Sequence, residues 1–395
     1  MAYRSKTLPA GLVAGLASIS ILGFVPAFAQ DAEAPATQSP EASQMAQPTA
    51  EMTSVLDKLT ELGAKPIGTL SVAETRAQPT PADAVMAVMK DKNIKPEAAL
   101  DAVKTRDITI PGPAGAIPAR VYTPEGEGPF PLIVYYHGGG WVIADIDTYD
   151  ASARALAAET GAVVLSSHYR QAPENKFSAA HEDAYAAYEW AVENSGELNA
   201  DATRLAVAGE SAGANLAANV AIRARDNKAT QPDAQLLVYP IAGNDMETAS
   251  YKENAEAMPL SKQAMMWFVE QVFDTKDQTS DPQVNLVGRD DLEGLPPATV
   301  INAQIDPLRS EGEAYAEHLR EAGVDVEQRT FEGVAHEFFG MGAVVPEAKE
   351  AVTLASDRLK SAFEAAGTSS ETTSATGGAP AARPATPTPA PPTQN

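Results

Sequence analysis

An α/β fold, a mostly parallel central sheet flanked by helices, is predicted by three features of the chain. Apolar runs at 131–136, 162–165 and 205–208 are continuous rather than alternating, as expected for strands buried on both faces. Stretches of helical period, among them 179–191 and 311–320, fall between such runs. The run at 205–208 leads through Gly-Glu-Ser-Ala-Gly at 209–213 straight into a small-residue helical stretch, 212–220. The chain has 395 residues, 44% of them hydrophobic, which suits one large domain with a substantial core plus appendages.

In chain order, residues 1–29 have the layout of a secretory signal peptide. Arg4 and Lys6 precede a largely apolar stretch, 8–25, and Ala27-Phe28-Ala29 is a small-x-small cleavage site. Glycine, serine and proline interrupt that stretch, whereas a membrane-spanning anchor needs about 20 uninterrupted apolar residues. No twin arginine is present, so general secretion to periplasm or medium is expected, with no stable membrane anchor after cleavage. Cysteine is absent, which excludes a lipid-modified lipoprotein and any disulfide. Residues 30–50, rich in Ala, Pro, Gln and Ser, read as a disordered linker. The Pro/Thr/Ala-rich tail at 367–395 reads likewise, as a spacer, a wall-association segment or, more plainly, a solvated end.

Residues 51–104 carry amphipathic helical patterning, with Met52, Val55, Leu56, Leu59 and Leu62 on one face and Ala84, Val85, Val88 and Met89 on another. Two strand-like pieces, 107–110 and 117–122, flank Pro111-Gly112-Pro113-Ala114-Gly115 and read as a hairpin. The run at 131–136 then ends in His137-Gly138-Gly139-Gly140-Trp141. Successive glycines let backbone N–H groups turn inward with no side chain in the way. Acyl transfer needs such donors to hold the oxyanion of its tetrahedral intermediate. Gly138 and Gly139 are assigned as donors from this loop, with Gly140 completing the motif and His137 bracing it. The plainer reading is a flexible glycine turn.

The pentapeptide supplies the matching nucleophile. On a strand-to-helix turn, Ser211 is pushed out from the sheet edge, and the flanking glycines leave room for the strained backbone. The helix that follows aims its positive end at the same place. Glu210 supports the motif, and Ala212, the residue after the serine, is the third oxyanion donor. Of five histidines, His137 opens the glycine loop and His168 closes the run at 162–165. His181 and His318 fall in helical stretches and read as surface or packing residues. His336 remains, in a loop beyond the strand-like run at 326–331, and is the general base. Asp306 follows the strand-like run at 298–305 and lies between serine and histidine in the chain. Asp306-Pro307 alone reads as a turn or helix cap; in the Ser, Asp, His order it reads as the triad acid.

Residues 105–360 resemble the bacterial hormone-sensitive-lipase-like carboxylesterases of the α/β-hydrolase superfamily. The resemblance rests on His-Gly-Gly-Gly, Gly-Glu-Ser-Ala-Gly, Tyr169-Arg170-Gln171-Ala172-Pro173-Glu174, and Asp306-Pro307-Leu308-Arg309 with 311–316 behind it. It implies an α/β-hydrolase fold and cofactor-free hydrolysis of carboxylic esters by Ser211, Asp306 and His336. It also implies a helical cap, built by the N-terminal helical region and an insertion at about 244–286, within the catalytic domain at 105–366. In that insertion Ser261 reads as a helix cap, while Met265 and Phe268 either line an acyl pocket or pack in a helix core. Trp141 is expected to narrow the site. Departures from the family pattern are Glu210 for aspartate, Ala214 and Glu337 for glycine, and His168 for aspartate or another polar residue. Glu337 puts a carboxylate beside the base and is expected to raise its pKa.

Charge narrows the partners. The formal net charge of −24 repels nucleic acid, anionic membrane surface and anionic substrates, and its plainest reading is solubility. The family resemblance implies a small ester partner, expected to be neutral and of short-to-medium chain length. No metal or other cofactor is expected, because no stretch of the chain has the spacing of a zinc site. Oligomeric state is not legible. Three alternatives stay open: the same triad acting on amides or carbamates, a secreted peptidase of the same superfamily, and a catalytically silent hydrolase-like binding module.

Overall fold

The computed structural model describes residues 45–376. The signal peptide expected at 1–29, residues 30–44 of the linker and the tail beyond 376 lie outside the described residues. Four helices come first: α1 (Ala50–Glu61), α2 (Val72–Ala77), α3 (Pro81–Asp91) and α4 (Ala98–Asp101). The starts of the first three are written locally. Thr49 accepts from the Met52 N–H, and Ser71 with Glu74 and Thr80 with Asp83 form reciprocal capping boxes. Met52, Val55 and Leu59 of α1 and Ala84, Val85 and Val88 of α3 are buried in one apolar cluster.

The hairpin expected at 107–122 is longer and tighter. Its strands, β1 (Lys104–Gly112) and β2 (Gly115–Thr123), pair antiparallel and turn on Pro113 and Ala114 alone. Strands and helices then alternate: β3 (Phe130–Tyr136), α5 (Asp150–Thr160), β4 (Val163–Ser167), α6 (Ala179–Glu193), β5 (Ala200–Glu210), α7 (Ala212–Asp226) and β6 (Ala234–Val238). Two helices, α8 (Ala249–Glu253) and α9 (Lys262–Val272), lie in the insertion, the second capped by Ser261. The chain closes with β7 (Ala298–Ile305), α10 (Arg309–Glu321), β8 (Val326–Ala335) and α11 (Pro346–Thr376). The last helix runs into the segment expected to be disordered from 367. Among its described side chains Phe363 is the last buried one, and the sequence beyond it, rich in Gly, Ser and Thr, carries no apolar period.

The eight strands form one sheet in the order β1-β2-β4-β3-β5-β6-β7-β8. Only the β1–β2 and β2–β4 pairings are antiparallel. Both faces are covered, which explains the continuous apolar runs. Along β3, Leu132, Val134 and Tyr136 face a core shared with α6, α7 and α10, while Ile133 and Tyr135 face one shared with α5 and α11. After β3 the chain goes to β4 on one side, then returns through α6 to β5 on the other. That reversal opens a crevice at the carboxyl ends of β3 and β5, the usual ligand position in open α/β sheets.

Candidate active site

Ser211 sits at that crevice, between β5 and α7, with φ 57° and ψ −118°. Such a backbone is sterically costly for a residue with a Cβ and holds only because its surroundings fix it. The flanking glycines are required by crowding. A Cβ on Gly209 would stand 2.2 Å from the Gly213 carbonyl oxygen, and one on Gly213 would stand 2.0 Å from that of Tyr136. The Ser211 N–H donates to the Val238 carbonyl at 2.9 Å, which ties the turn to β6. The 15-residue helix α7 begins at the next residue and directs its positive end here.

The structure brings together the three residues assigned as triad. His336, just past β8, has Nε2 3.0 Å from Ser211 Oγ and Nδ1 2.6 Å from Asp306 Oδ2. Asp306 follows β7, and its other oxygen accepts from the Leu308 N–H at 2.8 Å, so the turn-former reading and the acid reading are both realised. All three side chains are buried. Burial pulls the His336 pKa down, but Asp306, by charge and hydrogen bond, then Glu337 and Glu210, outweigh it and hold the imidazole above its ordinary value. That is the direction expected from Glu337.

The glycine loop is braced from beneath. Tyr169 Oη donates to the carbonyls of His137 and Gly138, each at 3.0 Å. His137 Nδ1 lies 2.8 Å from the Gly138 carbonyl, which can only accept, so the proton is on Nδ1. Its Nε2 must then accept from His168 Nδ1, 3.0 Å away. Burial, helped by His168, pushes the His137 pKa down to about 3, which keeps this tautomer uncharged. With the Gly138 carbonyl held by Tyr169 and His137, the trans peptide turns the Gly139 N–H the opposite way. Gly139 and Gly140 line the cavity beside Ser211. Gly138, expected as a donor, stands behind them, where a Cβ would meet Tyr149 Oη at 2.2 Å. Ala212 is the first residue of α7 and is fully buried.

Two more carboxylates lie close by. Glu210 points away from the cavity and accepts from Tyr135 Oη at 2.5 Å and from Tyr239 Oη. Burial drives its carboxyl up to about 7, against the pull of the tyrosine hydrogen bonds. The Tyr239 ring rests 4.4 Å from the His336 ring, so Glu210 acts on the site through a neighbour. Glu337 adopts φ 72°, the left-handed region where glycine is at ease, and accepts from Tyr149 Oη at 2.7 Å. Its Oε1 is 3.9 Å from His336 Nε2.

The triad opens into a cavity of about 450 Å³. Helices of the N-terminal region contribute Leu59, Thr75 and Arg76 to its wall, and the insertion contributes Leu260, Met265 and Phe268. Trp141, expected to narrow this site, instead lines a neighbouring cavity of about 240 Å³. It is turned there by its own positive φ of 59° and packs 5.8 Å from His181. His181 is buried and bonds Asn215 Oδ1 at 2.9 Å, a packing role as expected. His318 is half-buried on α10. Arg76 went unread in the sequence. Its guanidinium bonds the Val142 and Ala172 carbonyls and both Glu174 oxygens, each at 2.8 Å, and so pins α2 to the glycine loop. The partner, in the Tyr-Arg-Gln-Ala-Pro-Glu segment, was the available signal. Among the described residues no group of three or more His, Cys, Asp or Glu side chains is placed to hold a metal, and no helix is long and apolar enough to cross a membrane.

A family model described as the alpha/beta hydrolase fold matches residues 133–340. The chain is 43% identical over 245 residues to the carboxylic ester hydrolase LipN of Mycobacterium tuberculosis, covering 60% of this chain and 65% of LipN. It is 42% identical over 254 residues to the carboxylesterase NlhH of Mycobacterium tuberculosis, covering 63% of this chain and 79% of NlhH. A solved hyperthermophilic esterase from the archaeon Pyrobaculum calidifontis superposes with a TM-score of 0.72 at 36% identity, covering 80% of this chain and 99% of that one.

Proposed function

Because the chain belongs to the hormone-sensitive-lipase-like carboxylesterases of the α/β-hydrolase superfamily, we propose that it is a serine carboxylesterase acting on short-to-medium-chain neutral esters. The observation that carries the reading is the continuous Ser211–His336–Asp306 hydrogen-bond chain opening into a capped cavity. Ser211 Oγ attacks the ester carbonyl while His336 Nε2 takes its proton, and Asp306 stabilises the resulting imidazolium. The N–H groups of Gly139, Gly140 and Ala212 receive the oxyanion. Gly140, which lines the cavity, replaces Gly138 among the expected donors, because Gly138 packs against Tyr149 behind the loop. His336 then returns the proton to the departing alcohol, and water releases the acid from Ser211 by the same path in reverse.

The walls support the substrate range. Each methylene contributes about 0.8 kcal/mol while it finds apolar surface, then nothing once the pocket ends. Asp83, Asp145 and Glu337 against Lys65 and the paired Arg76 give the cavity a negative balance unfavourable to anionic substrates. Along a p-nitrophenyl ester series, the specificity constant is expected to peak at roughly two to eight acyl carbons, by the pocket-limit argument. Matched amides and emulsified triolein should be poor, and chelator without effect. A peak at sixteen carbons or more, or faster turnover of the amides, overturns the reading.

We also propose that residues 1–29 direct export, a reading supported by Arg4, Lys6 and the Ala27-Phe28-Ala29 site. The exported protein should begin at Gln30 on N-terminal sequencing; an unprocessed chain in the cytoplasm refutes it.

A further inference from the structure

We propose that the cavity of about 240 Å³ beside the triad cavity is a second compartment of the acyl site, closed by Phe268, that takes the distal methylenes of longer straight acyl chains. The proposal rests on the esterase reading. The two cavities share three wall residues, Ile241, Met265 and Phe268, so these side chains are the partition between them. Phe268 stands at the catalytic end of that partition. Its ring lies directly on the glycine loop: a Cβ on Gly140 would meet Phe268 Cδ1 at 2.4 Å. An acyl chain bonded to Ser211 therefore meets this ring where the triad cavity ends on that side.

The chemistry of the far compartment fits an alkyl tail. Trp141, Tyr251 and Phe273 form apolar walls, and the polar side chains that also line it are Asn244, Glu270, Lys276 and Thr279. The partition is built to yield. Met265 is unbranched and adapts to new packing, and in this proposal Phe268 opens the way by a change of rotamer. Short acyl groups stay in the first compartment and leave the ring in place. Longer ones must displace it, so Phe268 sets the chain length at which specificity stops rising. A ring that limits length in this way is a specificity determinant, with no part in the proton transfers.

The test is the ratio of specificity constants for p-nitrophenyl decanoate and acetate in the full-length protein. Phe268→Ala should raise that ratio at least about tenfold, since each newly buried methylene is worth about fourfold. Adding Met246→Trp, which fills the far compartment from its own wall, should cancel the gain. Phe268→Leu, a milder change, should give a smaller rise and serves if the alanine variant does not fold. A crystal structure after reaction with p-nitrophenyl decylphosphonate, in which Ser211 Oγ bonds phosphorus and p-nitrophenolate leaves, should show the tail between Trp141 and Tyr251 in Phe268→Ala. An unchanged ratio in folded Phe268 variants, a gain that survives Met246→Trp, or a tail lying along the N-terminal helices overturns the proposal. Failure of wild-type protein to hydrolyse the acetate ester overturns the esterase reading instead, so the two failures are distinct.

Discussion

Ser211→Ala should lower kcat for p-nitrophenyl acetate by about 10⁶-fold, the scale seen when a triad nucleophile is removed. Ser211 Oγ is the hydroxyl in hydrogen-bond contact with His336 Nε2, at 3.0 Å, and no substitute stands beside it in the pentapeptide. The loss should be chemical rather than structural. Alanine keeps a Cβ at φ 57°, so the strain of the turn is unchanged and the melting temperature should stay within a few degrees. Ser211→Gly separates the two effects. It is equally inactive, but relief of roughly 1–3 kcal/mol of backbone strain exceeds the chain-entropy cost of glycine, so it should melt no lower than the alanine variant. Organophosphate should label wild-type protein on the peptide holding Ser211 and leave both variants unlabelled. Near-wild-type turnover by Ser211→Ala removes the nucleophile assignment.

Much of the site was legible because its geometry is enforced by residues with few alternatives. Gly209 and Gly213 cannot be larger, since backbone carbonyls fill the space a Cβ needs. A strand, a forced turn and a helix therefore had to leave a linear trace. The same holds for strands buried on both faces: 131–136 and 298–305 read correctly because each neighbouring layer demands an apolar side chain. Glu337 was legible as an influence on His336 because it is the next residue in the chain, and the two side chains come within 3.9 Å.

What escaped the sequence depends on distant partners. Tyr169 carries the glycine loop across 31 and 32 residues, and Arg76 reaches Val142 across 66. Nothing periodic announces such bonds. Trp141 was placed in the wrong cavity because its position after the loop fixes its neighbourhood and not its direction, which follows from a positive φ. Gly138 and Gly140 could not be told apart for a similar reason: three identical residues differ only in which peptide Tyr169 and His137 hold from below.

Asp306→Asn should cut kcat/KM by about 10⁴-fold, through the wrong imidazole tautomer. The anchoring of this side chain determines how the amide must sit. In wild-type protein Oδ1 accepts from the Leu308 N–H at 2.8 Å and Oδ2 receives His336 Nδ1 at 2.6 Å. Asparagine has one acceptor, and Leu308 can only donate, so its carbonyl oxygen stays there and its NH₂ faces the imidazole. Nδ1 must then lose its proton and Nε2 carry one, which leaves nothing to accept from Ser211. The residual activity should also titrate differently. The base acts when neutral, so wild-type activity should rise with pH through a midpoint above the ordinary histidine value of about 6.5. Removing the Asp306 charge leaves burial opposed mainly by Glu337 and Glu210, and the midpoint should fall. Glu337→Gln removes a smaller contribution from 3.9 Å, so its midpoint should also fall, by less, with the hydrogen-bond chain and most of kcat retained. Log kcat/KM against pH for the three proteins decides the matter: a higher midpoint in either variant, or a larger fall for Glu337→Gln than for Asp306→Asn, contradicts this ordering of the two carboxylates.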